Sequence, residues 1–127
     1  MQLPHEHTDE ASLTHHGLEV VRLLRVGEFA MLAEQYGYAM AYGRPPVEAL
    51  RDDLTKTIAS AGGSALSNAL PDVNVGYFAP NDVNLHAVVE CYAAVVGSEN
   101  AVLIELIITE ARGEKHICIE DVSYFSG

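Results

Sequence analysis

The sequence predicts an α+β fold, with two or three N-terminal helices packed on one face of a C-terminal antiparallel sheet of three to four strands. Three observations predict it. Apolar residues recur at helical spacing through the first half of the chain. From Val73 onward the period changes to strand-like alternation. The last three apolar runs are joined by short turns, which bring antiparallel neighbours together. The chain has 127 residues, the length of one domain. A chain of that size buries roughly two thirds of its unfolded surface, so it needs neither disulfide nor metal to fold. A hydrophobic share of 49% is that of a globular chain and excludes disorder.

Residues 1–8 read as a flexible tail, followed by a single α+β domain over 9–127. Thr8 is the expected N-cap, with Asp9 and Glu10 in the first turn, where carboxylates offset the helix dipole. Leu13, Gly17, Val20, Val21 and Leu24 form one stripe. Glycine is a poor helix former, so Gly17 signals either a close contact or a late helix start. Gly27 suits the position that ends this helix. Phe29, Leu32, Ala33 and Tyr36 make a second, shorter stripe, stopped by Gly37. Pro45 or Pro46 opens a third helix, where a missing N–H costs nothing. Its stripe is Val47, Leu50, Leu54, Ile58 and Ala61, and Gly62-Gly63 ends it. Residues 64–72 read as loop and 73–77 as a short strand. Pro80-Asn81-Asp82 is a turn signal. Longer strands follow at 84–96, 101–111 and 116–125, with turns at 97–100 and 112–115.

Charge narrows the partners. Eighteen acidic residues against seven basic ones give a formal net charge of -11. Such a surface repels phosphate backbones and anionic headgroups, so neither nucleic acid nor membrane is expected. It attracts a basic protein and speeds that encounter. The opening residues lack a basic stretch followed by an apolar one, so no signal peptide is expected. The apolar windows at 88–96 and 101–108 are short and contain Glu90 and Glu105, so neither is expected to span a membrane. Cys91 and Cys118 form no CxxC pair. A cytoplasmic location with reduced thiols is the expectation.

Alternation divides each strand into two faces. One is almost wholly apolar: Leu85, Ala87, Val89, Cys91, Ala93 and Val95, then Val102, Ile104, Leu106 and Ile108, then Ile117 and Ile119. It must pack on the helices. The other is mixed, with His86, Val88, Glu90, Tyr92 and Ala94, then Leu103, Glu105, Ile107 and Thr109, then His116, Cys118, Glu120, Val122 and Tyr124. Symmetric turns would set Glu90, Ile107 and Glu120 in one row and Tyr92, Glu105 and Val122 in the next. Carboxylates beside aromatics suit a protein partner with Arg or Lys anchors. The plain alternative is an ordinary solvated sheet face.

Other chemistry is sparse. His5, His7, His15 and His16 cluster near the start, yet adjacent histidines on a helix point different ways, and no metal site is expected. Asp121 and Ser123 are polar exceptions on the apolar list. A carboxylate there is placed to act as a general base, so Asp121 is the one catalytic candidate. Walker, GxGxxG, GxSxG and HExxH motifs are absent, and no cofactor is expected.

The layout of 9–127, helices first and a curved antiparallel meander last, resembles the NTF2-like superfamily. Locally, VVRLLRVGEF at 20–29 and ICIEDVSYF at 117–125 look like small bacterial domains of the immunity-protein type. The first resemblance implies a pocket, with Asp121 as its acid or base. The second implies a protein that neutralises a toxin and has no catalytic residues to carry over. Two readings therefore stand. One is a small acidic immunity or inhibitor protein that occludes a basic toxin or enzyme through Glu90, Tyr92, Glu105, Glu120 and Tyr124. The other is an NTF2-like pocket protein that binds or transforms a small molecule. A homodimer in which sheet faces pair is a third.

Overall fold

The computed structural model describes residues 1–126; Gly127 and the side chain of His5 lie outside the described residues. The helices are α1 (Glu10–Val26), α2 (Phe29–Gln35) and α3 (Pro46–Ser60). The strands are β1 (Gln2–Leu3), β2 (Asp72–Tyr77), β3 (Leu85–Ala94), β4 (Ala101–Ala111) and β5 (Glu114–Phe125). They form one sheet in the order β1-β5-β4-β3-β2, every neighbouring pair antiparallel. The α+β architecture with N-terminal helices is as the periodicities predict. Among the described residues, no helix is long and apolar enough to cross a membrane.

The sheet has one strand more than expected because residues 1–8 are not simply a tail. Gln2 and Leu3 pair with His116 and Lys115, Leu3 is buried, and the Met1 ammonium donates to the Ile117 carbonyl at 3.1 Å. Two residues carry no periodic signal. They are held because they cover the unpaired edge of β5.

Each helix ends as its sequence demands. Asp9, one residue later than expected, is the N-cap of α1, and a hydrogen bond with Ser12 holds its carboxyl below the ordinary range. Gly27 ends α1 in the left-handed region, at φ 80°, and Glu28 N–H donates to the Leu23 carbonyl at 2.9 Å. Gly17 marks a close contact: it is buried mid-helix where α1 crosses β3. A Cβ there would sit 2.8 Å from Cys91 Sγ. Pro46 opens α3.

Two polar clamps fasten the helices to the sheet. Tyr38, in the α2–α3 connection, bridges Ile119 on β5, and its hydroxyl donates to Asp53 at 2.6 Å. Arg44 grips the same carboxylate with two bonds of 2.9 and 3.0 Å. Asp53 is therefore a structural anion and not part of a solvated helix face. Its carboxyl is held low by the Arg44 hydrogen bonds, and the Tyr38 hydroxyl is pushed up by burial and then by Asp53. At the other end of α3, the Ser98 hydroxyl and the Asn100 amide, both in the β3–β4 turn, donate to the Ala61 carbonyl.

The core lies between helices and sheet. Ala87, Val89 and Cys91 of β3, Val102, Ile104, Leu106 and Ile108 of β4, and Ile117 and Ile119 of β5 are all 0% exposed. Against them pack Leu13, Val20, Leu24, Leu32, Leu50 and Leu54. Each large aliphatic so buried contributes about 1.5–3 kcal/mol over leaving it in water. The inward list holds from Ala87 to Ile119; Leu85, expected inside, lies across a β-bulge opposite Thr109 and is only half-buried, because the extra His86 exchanges the faces there.

Past Ile119, β5 carries a β-bulge. Leu106 pairs with Ile119 but Glu105 pairs with Asp121, which leaves Glu120 as the extra residue. One extra residue exchanges the faces of everything after it. Val122, expected outside, lies opposite Ile104 and is buried. Asp121 and Ser123, expected inside, face outward opposite Glu105 and Leu103. Tyr124 falls opposite Val102, on the helix-side face, and Phe125 takes its place outside.

Candidate functional site

The outer face of the sheet is laid out in cross-strand rows. Gly76, Val88, Ile107 and Cys118 form one row. Asn74, Glu90, Glu105 and Asp121 form the next, with the bulged Glu120 beside it. Asp72, Tyr92, Leu103 and Ser123 form the third. An acidic row thus runs across three strands between two rows that carry aliphatic and aromatic side chains. Tyr92 reaches along its strand to Glu90, 3.4 Å from its hydroxyl, and meets the Phe125 ring edge-on, with centroids 4.9 Å apart.

The register differs from the one that symmetric turns imply. Strand β3 leaves β4 at Ala94, opposite Ala101, and β4 turns into β5 through Arg112-Gly113 alone. Both hairpins are therefore offset by two residues, which preserves faces but changes partners. Glu90 stands opposite Glu105 instead of Ile107, and Ile107 stands opposite Cys118 instead of Glu120.

Of the five residues predicted for partner contact, Glu90, Tyr92, Glu105 and Glu120 share this face, all half-buried. Tyr124 does not. Asp121 and Phe125 belong to it although the sequence reading placed neither there. The signal for both was present: Ile119-Glu120-Asp121-Val122 sets two polar residues between two apolar ones, which breaks strict alternation.

Carboxylates placed directly opposite one another repel. Glu105 sits at the centre, and its carboxyl is raised above the ordinary range by burial first, then by Asp121, Glu90 and Glu120. The Tyr92 hydroxyl is also raised, by desolvation and then by Glu90. A raised carboxyl adds stability while protonated, below its unfolded value of 4.5, and that stability is lost as pH rises through the folded value. Glu105→Gln is therefore expected to stabilise the chain at pH 7 by a few tenths to about 1 kcal/mol. The gain in melting temperature should shrink towards zero as the pH is lowered below 4.5.

The other sequence candidates are dispersed or inert. His7, His15 and His16 line a shallow cleft of about 330 Å³ with Ala11 and Ser12. His16 Nδ1 lies 2.9 Å from the Tyr36 hydroxyl, and burial, with His15 and His7 nearby, lowers its pKa. Among the described residues, no group of three or more His, Cys, Asp or Glu side chains is arranged to hold a metal ion. Cys91 and Cys118 are free thiols on opposite faces. Burial pushes the Cys91 thiol up to about 12, and Cys118 is raised as well, so neither is an activated nucleophile. The inward acid that a pocket reading needs is replaced by Val122. No protein-family model matches the chain, nor does any curated protein or solved structure.

Proposed function

We propose that the outer sheet face docks a basic protein partner, and that the chain acts as an immunity or inhibitor protein that covers a cationic site on a toxin or enzyme. The row Glu90–Glu105–Asp121, flanked by Val88 and Ile107 on one side and by Tyr92, Leu103 and Phe125 on the other, carries this reading. The carboxylates take Arg or Lys side chains, and the flanking apolar rows exclude water from those pairs. A net charge of -11 steers the encounter. A second copy is a poor occupant of the same face, because two-fold pairing would set acidic rows against each other.

Affinity capture with the tagged full chain tests the proposal. A basic protein should be retained by the wild type and lost from the Glu90→Gln, Glu105→Gln, Asp121→Asn triple variant, with folding of the variant checked by circular dichroism. Equal retention by a folded variant would remove this face from consideration.

A further inference from the structure

A cleft of about 500 Å³ opens between the 78–85 segment and the β4–β5 turn. Phe78, Pro80, Leu85, His86, Glu110 and Arg112 are among its lining residues. Its volume lies in the range of small-molecule sites. Three features build its walls. The Asn81 side chain ties the loop together: its amide donates to the Ala79 and Leu85 carbonyls at 2.9 and 2.8 Å, and its oxygen accepts from the N–H groups of Val83 and Leu85. His86 is the extra residue of a second bulge, between the Leu85–Thr109 and Ala87–Ile108 pairs. Such bulges re-aim a side chain. Asn84 and Arg112 lie in the left-handed region, at φ 56° and 55°.

Arg112 is the informative residue. It takes the first place of a two-residue hairpin turn with Gly113, a place that favours Asn, Asp or Gly. Arginine is strained there. Its guanidinium, like those of Arg25 and Arg51, makes no ion pair among the described residues, so its charge is open to a ligand. A cation thus stands at a disfavoured backbone position in the same cleft as Phe78, a residue 46% exposed.

We propose that this cleft binds a small aromatic carboxylate, with Arg112 pairing its carboxylate and Phe78, Pro80 and Leu85 receiving its ring. The planar guanidinium matches a carboxylate with two parallel hydrogen bonds. Glu110, in the same cleft, and the net charge of -11 favour one negative charge over the two of a phosphate. Phe78 supplies the edge or face that an aromatic ring prefers.

Titration of benzoate into the ¹⁵N-labelled full chain provides the test, read as amide shifts. Shifts should concentrate at Phe78, Asn84, His86 and Gly113 and saturate with a Kd on the order of 1 mM. Benzamide, which lacks the charge, should bind at least about tenfold more weakly. Arg112→Asn suits the turn, so it should melt at or above the wild-type temperature while losing at least about tenfold in benzoate affinity. Phe78→Ala should weaken benzoate and leave the weak binding of inorganic phosphate unchanged. Absent or scattered shifts, benzamide equal to benzoate, phosphate stronger than benzoate, or an Arg112→Asn variant that binds normally would each overturn the assignment.

Discussion

Reversing Glu105 and Glu120 to lysine together is expected to weaken binding of the basic partner by about a hundredfold or more, most of it through slower association. Both residues are half-buried on the outer face, and Glu105 is flanked by Glu90 and Asp121 across the sheet. A cation introduced there removes two attractive pairs and places like charges against the partner. The wild-type association rate should fall steeply with salt, because steering by a net charge of -11 is screened. In the double variant that slope should flatten. Surface plasmon resonance against the captured partner, at low and high ionic strength, measures both effects. Matching rates and slopes for the two proteins would place the interface elsewhere. The isolated variant should remain folded, and more easily than simple surface reasoning suggests, because Glu105→Lys removes a carboxylate from a site that already disfavours its charge.

Leucine in place of Gly17 is expected to destabilise the chain by about 3 kcal/mol, lowering the melting temperature by roughly 10 °C. The Cβ alone would meet Cys91 Sγ at 2.8 Å and the Val73 and Val89 methyls at 3.2 Å. Those neighbours sit under α1 in a close-packed layer, so the helix must lift off the sheet. Alanine separates the opposing effects. It gains about 1 kcal/mol of helix propensity and loses more to the contact. Combining Gly17→Ala with Cys91→Ala removes the nearest clashing atom, so the pair should be more stable than the sum of the single changes predicts by about 1 kcal/mol. Thermal denaturation of the four chains completes the cycle. A Gly17→Leu chain that melts with the wild type would mean that α1 does not sit on β3 as described.

The fold was legible wherever one physical signal acted alone. Helical stripes ended by Gly27 and Gly37, Pro46 at a helix start and the inward list from Ala87 to Ile119 are local or strictly periodic, and the coordinates follow them. What was not legible depended on partners distant in sequence. Leu3 becomes part of a strand only because β5 offers an edge more than a hundred residues later. Asp53 acquires its structural role only when Tyr38 and Arg44 fold back onto it.

The candidate site divides in the same way. Glu90, Tyr92 and Glu105 were placed on the correct face by alternation alone. Their opposition across the hairpin was not, because turn length sets register and alternation is blind to a shift of two. Asp121, Val122, Ser123 and Tyr124 were misassigned for a different reason. A single bulge inverts every residue downstream, and the double polar Glu120-Asp121 was its only trace.

That bulge also determines where the chain tolerates a change of length. Deleting Glu120 would bring Ile119 and Asp121 into an unbroken ladder opposite Leu106 and Glu105, with Val122 still beneath the helices. Loss of Cys118 would instead turn Ile117 or Ile119 towards water. Single-codon deletions along β5 should therefore be accepted at Glu120 or Asp121, either of which leaves one polar residue between Ile119 and Val122, and rejected at Cys118, which makes this pair read as one position with an inserted residue in a strand that would otherwise run regularly.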